Sequence, residues 1–313
     1  MNKESVFTST GSKIMHHPEL VSRLQQKKAI PISIQIAPTS RCQLNCIFCS
    51  NTNRKEQQDL DFKDLSLFLY SMSHERAKTV EWTGGGDPLM YHSINESIQA
   101  AHDLGFEQGF ITNGLGFKNL TEQSLSLLAW VRVSMNCLDY VPKVEIPELQ
   151  KETVLGFSYV MNDNTSNEIL ARVKCHVLKY KPEYVRIVPN CQATDEEQEE
   201  NNEYFSKLIS SWGDPYFYQR KVFRRPEKCY WGYIKPFLLH DGFVYRCSSV
   251  VLNSDAGRSF HENFRWCHMK EFPLKYSEEI LPYIPGHCDK CVFAIQNDLV
   301  DEIITPSKMS NFL

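Results

Sequence analysis

Three cysteines stand close together in Arg41-Cys42-Gln43-Leu44-Asn45-Cys46-Ile47-Phe48-Cys49, a Cys-x3-Cys-x2-Cys run. Thiolate is a soft ligand suited to zinc and to iron–sulfur clusters, and a cubane cluster normally takes four. Three thiolates within eight residues can wrap one corner of a 4Fe-4S cluster and leave one iron open to a non-protein ligand. The polar neighbours Arg41, Gln43 and Asn45 do not form a core face, so packing alone does not account for the spacing. A structural zinc site needs a fourth Cys or His nearby. The next ones, His74 and Cys137, are not placed for that role.

A second group lies near the other end of the chain, with Cys229 and Cys247 followed by Cys288-Asp289-Lys290-Cys291. Between the first two, His240-Asp241-Gly242-Phe243-Val244-Tyr245-Arg246-Cys247 reads as an Asp-Gly turn entering an alternating strand, a hairpin signal. Four thiolates there can close either a fully ligated 4Fe-4S cluster or a zinc ribbon, and spacing alone does not choose. The chain holds eleven cysteines, and seven fall into these ordered groups. The remaining four, Cys137, Cys175, Cys191 and Cys267, read as small core residues.

The elements that must position these groups alternate. Ile30 to Ala37 alternates apolar and polar and reads as a first strand, delivering the chain into the cysteine loop. Strands follow at Thr79–Thr83, Gly109–Thr112, Trp130–Ser134, Val154–Met161 and Tyr184–Val188. Helical stretches separate most of them, at Leu65–Met72, Ile94–Leu104, Leu120–Leu128 and Glu168–Lys179, and Asp195–Ser211 follows the last. Six strands with intervening helices predict parallel βα units in an open, partial (β/α)6 barrel. In such barrels chemistry gathers on loops at the C-terminal ends of strands, where the cysteine loop sits. Helical periodicity stops near Trp212-Gly213-Asp214-Pro215, which divides the α/β chain into a lead-in (1–30), a barrel (31–212) and a small β-hairpin/α domain (213–313). The acidic run Asp195 to Glu200 reads as a solvated helix start that Thr194 can cap.

With 313 residues, 42% hydrophobic and 23% charged, the chain has the composition of a soluble globular protein. Its net charge of −4 gives no global field for nucleic acid. No run approaches a membrane span of about 20 apolar residues, and the N-terminus lacks the apolar stretch of a signal peptide. A cytoplasmic location is expected, where grouped cysteines bind metal rather than form disulfides.

The Cys-x3-Cys-x2-Cys run with Phe48 before its third cysteine resembles the signature of radical S-adenosylmethionine (SAM) enzymes. The resemblance implies that Cys42, Cys46 and Cys49 hold a 4Fe-4S cluster whose open iron binds SAM. Reductive cleavage of SAM then yields a 5′-deoxyadenosyl radical that abstracts a substrate hydrogen. Gly84-Gly85-Gly86-Asp87-Pro88 directly follows the second strand and resembles the family's Gly-Gly-Glu-Pro motif, whose backbone holds the SAM amino group; Asp87 stands where Glu is usual. Thr112-Asn113-Gly114 and Ser134-Met135-Asn136 are similar to family stretches that contact the methionyl and ribose groups, and Phe48 would lie near the adenine. Met161-Asn162 and Arg186 are weaker candidates. Polar residues at strand ends also serve as turn formers.

Cys229-x12-Gly242-x4-Cys247 matches the opening of the SPASM motif, while no cysteine follows Cys291. That truncated pattern resembles the twitch domain, with one auxiliary 4Fe-4S cluster, and is similar to the radical SAM aminocyclitol dehydrogenase group. The resemblance implies oxidation of a small polar substrate, such as a sugar or nucleotide derivative, with the second cluster taking the surplus electron. A flavodoxin or ferredoxin would be the electron donor. Cys191 would face the barrel mouth, where its thiol could return a hydrogen atom to a substrate radical.

Two other readings stand beside this one. Modification of a peptide or nucleic acid is the first, although the short lead-in argues against a leader-peptide-binding domain. A non-catalytic zinc protein binding nucleic acid is the second. It would use Arg220, Lys221, Arg224, Arg225 and Lys228, interleaved with Tyr216, Phe217, Tyr218 and Phe223. A solvated linker is the simpler account of that segment.

Overall fold

Residue alternation sets the sheet. In β1 (Ser33–Ile36) Ile34 and Ile36 are buried, while Ser33 and Gln35 face the other way and are half-buried. β2 (Thr79–Trp82) repeats this with Val80 and Trp82, and β4 (Trp130–Ser134) with Val131 and Val133. β3 (Glu107–Thr112), β5 (Val154–Val160) and β6 (Tyr184–Val188) complete the six expected strands. A computed structural model describes residues 3–28, 31–51, 57–248, 264–278, 282, 288 and 291–305, so the predicted strand start at Ile30 lies outside the described residues.

The strands pair in parallel from β1 through β6 in sequence order. The apolar parity of each faces helices: α3 (Phe62–His74), α4 (Ile94–Asp103), α5 (Glu122–Ser126) and α6 (Asn167–Tyr180). α7 (Asp195–Ser210) starts with the expected cap, in which the Thr194 hydroxyl accepts from the Glu197 N–H while the Glu197 carboxylate accepts from the Thr194 N–H.

The change of character at Trp212 ends α7 but not the sheet. β7 (Tyr216–Tyr218) pairs in parallel with β6, and β8 (Phe237–Leu238) pairs in parallel with β1. β9 (Phe243–Tyr245) turns back on β8 through Gly242, at φ +81°, as the Asp-Gly signal predicts. β10 (Arg265–His268) adds antiparallel to β9, giving one sheet ordered β10-β9-β8-β1-β2-β3-β4-β5-β6-β7. Gln35, Glu81, Arg132 and Arg186 line one cavity, so the sheet curls around its polar parity. The result is the expected α/β partial barrel with an added antiparallel hairpin.

The lead-in covers the strands' N-terminal ends. It comprises α1 (Lys3–Phe7), a 3₁₀ turn at Gly11–His16 and α2 (Pro18–Gln25). Phe7 stacks on Tyr184 with centroids 4.3 Å apart, and Lys3 Nζ donates to the Glu183 carbonyl at 2.7 Å. Among the described residues no helix is long and apolar enough to cross a membrane.

Cys137 and Cys267 are buried as expected, and Cys191 is half-buried. Cys175 is exposed, which corrects its reading as a core residue. α6 buries Ile169, Val173 and Val177 at a four-residue spacing, and position 175 falls on the opposite side.

The helix Ala294–Ile304 meets the backbone next to Cys229 through Asn297. Asn297 Oδ1 accepts from the Tyr230 N–H at 2.8 Å and the Trp231 N–H at 2.9 Å, and Asn297 is 1% exposed. An unmet buried donor costs about 1–3 kcal/mol, so Asn297→Ala should lower stability by about 2–6 kcal/mol. Denaturant titration followed by circular dichroism measures this; a loss below about 1 kcal/mol would mean that water replaces the side chain.

Candidate cofactor site at the barrel mouth

After β1 the chain leaves the sheet at Pro38 and enters the cysteine loop. Asp59 holds the start of that loop: its Oδ1 accepts from Thr39 Oγ1 at 2.6 Å and Arg41 Nε at 3.2 Å, and its Oδ2 meets His92 Nδ1 at 3.0 Å. Ser40 and Gln58 bond reciprocally beside it. Beyond this brace Cys42, Cys46 and Cys49 are each half-buried. The Cys49 N–H donates to the Cys46 carbonyl at 3.0 Å, closing a turn between the two residues. Burial, with Cys49 and Cys42 close by, pushes the Cys46 thiol up to about 11, while the Tyr140 hydroxyl opposes the shift.

The glycine loop lies against this segment. The Gly86 N–H donates to the Thr39 carbonyl at 2.8 Å and the Asp87 N–H to the Arg41 carbonyl at 2.7 Å. A Cβ at Gly86 would stand 2.0 Å from the Arg41 carbonyl oxygen, so only glycine permits the approach. At Gly85 a Cβ would meet His240 Nδ1 at 2.5 Å, and at Gly84 the Gly86 carbonyl at 2.3 Å. The β8–β9 turn therefore reaches the glycine loop, bringing His240 to a place that sequence spacing did not indicate.

Asp87 faces inward. Its carboxylate accepts from the Asn113 N–H at 2.6 Å, the Leu89 N–H at 3.0 Å and Thr112 Oγ1 at 2.9 Å. Burial raises its pKa and those donors oppose the rise. Thr112 also accepts from the Gly114 N–H at 2.9 Å, so its hydroxyl is used within the loop. Asn113 reaches back, its Nδ2 donating to Gln43 Oε1 at 3.0 Å and standing 3.5 Å from Cys42 Sγ. Ser134 ends β4 on its inward parity. Asn136 is fully engaged with the β5 backbone at Val160, accepting at 2.7 Å and donating at 2.9 Å.

A hydroxyl–carboxylate network missed by sequence reasoning lies below Cys46. Tyr159 Oη donates to Asp139 Oδ1 at 2.9 Å, and Asn162 Nδ2 donates to Asp139 Oδ2 at 3.1 Å. Next to it, Tyr140 Oη accepts from the Ile47 N–H at 3.1 Å. Phe48 is half-buried, and its carbonyl accepts from Gln192 Nε2 at 3.1 Å, tying the cysteine loop to the segment that holds Cys191.

Of the C-terminal cysteines, Cys229 stands just before a short helix, α8 (Trp231–Ile234). Cys229 and Cys291 are both buried. Burial pushes the Cys229 thiol up, with the Gly232 N–H and the Arg246 charge opposing. Burial likewise carries Cys291 up to about 11, and Cys229 adds to the shift. Cys247 follows Arg246, whose carbonyl would lie 2.5 Å from a Cβ at Gly232. Cys288 packs against the small cluster of Ala37, Phe237, Leu239, Tyr245 and Phe264, while Asp289 and Lys290 lie outside the described residues.

One feature recurs at both groups. Backbone N–H groups point at sulfur: Leu44 toward Cys42 at 3.5 Å, Asn51 toward Cys49 at 3.4 Å and Phe293 toward Cys291 at 3.3 Å. Such donors favour thiolate, whereas burial favours thiol. A bound metal centre supplies the positive charge that resolves the conflict. Thiols met by backbone N–H groups have the chemistry of iron–sulfur ligands, while among the described residues no three metal-ligating side chains stand close enough together to hold a metal ion.

Three cations of the basic segment are paired with acids of the chain. Arg220 pairs with Glu199 at 2.5 Å, Lys228 with Asp301 at 2.8 Å, and Arg224 with Asp298. Lys221 turns into the barrel cavity. No open cationic face for a nucleic acid results from these four side chains.

No family model matches the chain. Among solved structures it is similar to Streptococcus suis SuiB bound to S-adenosylmethionine, at 15% identity, covering 84% of this chain and 72% of SuiB with a TM-score of 0.53. It is also similar to anSMEcpe with bound AdoMet and Cp18Cys peptide, at 12% identity, covering 90% of this chain and 86% of the other with a TM-score of 0.53. Both are radical SAM enzymes, and what this chain shares with them is the fold.

Replacing Asp87 by Ala would leave two N–H groups and a hydroxyl without an acceptor inside the protein. At about 1–3 kcal/mol per unmet donor, Asp87→Ala should cost about 3 kcal/mol or more, and Asp87→Asn less, because one carbonyl oxygen remains. Chemical unfolding of both variants tests this; equal losses would show that the two oxygens are not both used.

Proposed function

We propose that the chain is a radical SAM enzyme with a second, auxiliary iron–sulfur cluster. The observation that carries this reading is the hydrogen-bonded junction of the cysteine loop and the glycine loop at the ends of β1 and β2. Cys42, Cys46 and Cys49 would hold the SAM-binding 4Fe-4S cluster, with Asn113 steadying Cys42. Backbone groups of Gly84, Gly85 and Gly86 would face the SAM amino group. Asp87, Thr112 and Asn136 spend their side chains on protein partners, so they position the site, and Ser134 and Phe48 would border the nucleoside. Cys229, Cys247, Cys288 and Cys291 would hold the auxiliary 4Fe-4S cluster in a twitch-like region, residues 213–313.

Bound there, SAM and the two clusters supply reductive sulfonium cleavage, hydrogen abstraction and an acceptor for a surplus electron. The net reaction is then dehydrogenation of a small polar substrate in the cytoplasm, with a flavodoxin or ferredoxin as donor. Epimerisation would replace oxidation if Cys191 returned a hydrogen atom to the substrate radical, and burial raises its thiol pKa, which keeps the S–H form that step requires. A peptide substrate is the second reading, because SuiB has been solved with its precursor peptide SuiA and anSMEcpe with the Cp18Cys peptide.

Anaerobic reconstitution with iron and sulfide tests the assignment. The parent should bind about eight irons per chain, and the Cys42→Ala, Cys46→Ala, Cys49→Ala triple variant about four. With dithionite, only the parent should convert SAM to 5′-deoxyadenosine. Four irons in the parent and none in the variant would remove the auxiliary cluster and the oxidative reaction with it. A colourless protein without iron would leave the zinc reading.

A further inference from the structure

At the N-terminal ends of the strands, opposite the mouth, their inward positions and the lead-in line a cavity of about 580 Å³. Small-molecule sites span about 300–1,000 Å³. Six cations, Lys13, Arg132, Arg186, Arg220, Lys221 and Lys235, share its wall with the sheltered carboxylates Glu4 and Glu81, while Glu107 is exposed at the rim and Arg220 is paired with Glu199. Glu81 is already engaged: Lys235 Nζ lies 2.5 Å from one oxygen and Gln35 donates to the other at 3.3 Å.

The remaining cations are less well matched. Arg186 Nη1 donates to the neutral Gln219 Oε1 at 3.3 Å, and Arg132 lies 5.5 Å from the centre of the Trp130 ring. The Nε atoms of Arg132 and Arg186 are both buried without an acceptor. Burial, reinforced by the neighbouring cations, holds the Arg186 guanidinium down to about 9 and the Lys221 ammonium down to about 8. Buried cations kept together without matching acids are costly to a fold, and an anionic ligand removes that cost.

We infer that Arg132, Arg186 and Lys221 form an anchor for a phosphoryl group on the substrate. Two guanidinium forks match phosphate oxygens in geometry. A phosphate monoester brings about −1.5 to −2 charges at pH 7, closer to the cationic excess than the single charge of a carboxylate. Arg132 and Arg186 stand two residues before the ends of β4 and β6. At about 3.3 Å per residue the anchor lies about 7 Å below the mouth. Arg132 and Arg186 are the lining residues of β4 and β6 nearest the mouth, so a phosphoryl group held between them would lie on the mouth side of the cavity. The inference rests on the barrel mouth being the SAM site, and it narrows the substrate to a phosphorylated class.

The test is calorimetric titration of the reconstituted protein with inorganic phosphate, and with acetate at the same ionic strength. Phosphate should bind the parent and the surface control Lys118→Gln, outside the cavity, alike. Arg186→Gln and Lys221→Gln should each weaken binding about tenfold or more, the effect of losing one charge-assisted contact. Neither variant should melt below the parent in phosphate-free buffer, because each removes an unmatched buried charge. Absent phosphate binding, or binding unchanged in both variants, overturns the anchor. Acetate binding as tightly as phosphate also overturns it, and points to a carboxylate as found in peptides. Phosphate binding is read without SAM, so the two readings separate. Iron uptake and SAM cleavage without phosphate binding sink the anchor alone. Phosphate binding through these residues in a protein that takes up no iron sinks the cofactor assignment and leaves the anchor.

Discussion

The carboxylate of Asp87 is the point on which the mouth of the barrel depends. It joins the loop after β2 to the loop after β3 through the Asn113 N–H and the Thr112 hydroxyl. Its own N–H holds the Arg41 carbonyl, and Asn113 in turn reaches Gln43 and Cys42. Three loops from three strands thereby share one hydrogen-bonded junction. Because the group is buried, water cannot substitute cheaply for any member. The junction thereby fixes the loop that carries Cys42, Cys46 and Cys49 against its two neighbours.

A second constraint runs through the sheet. Each inner strand buries one parity against helices with Ile, Val, Phe or Trp, and turns the other parity inward. That inward parity carries Gln35, Glu81, Arg132 and Arg186, and Gly109 and Gly156 make room for the rings of Trp130 and Tyr184. The barrel is therefore not filled by a second apolar core. It keeps a polar cavity between the inward strand positions and the lead-in.

The cysteine and glycine motifs were legible because the cause is local. Ligand spacing in a loop of eight residues, or a glycine turn directly after a strand, is written in adjacent positions. The six inner strands were legible for the same reason, through alternation every second residue. The roles of Asp87, Thr112 and Asn136 were only half legible. Their place at strand ends was apparent, but the partners that occupy their side chains lie some 20 to 30 positions away in sequence.

The sequence by itself determined the α/β alternation, the order of the inner strands and the two cysteine groups, because each depends on short-range periodicity or spacing. Only the tertiary structure decided that β7 and β8 extend the same sheet past Trp212, that His240 meets Gly85, and that Asn297 fastens the last helix to Tyr230 and Trp231. It also sorted the basic segment, pairing Arg220, Arg224 and Lys228 with acids and turning Lys221 into the barrel. Such outcomes depend on which distant segments meet when the sheet curls, and the charge, size and spacing of neighbouring residues carry no record of that encounter.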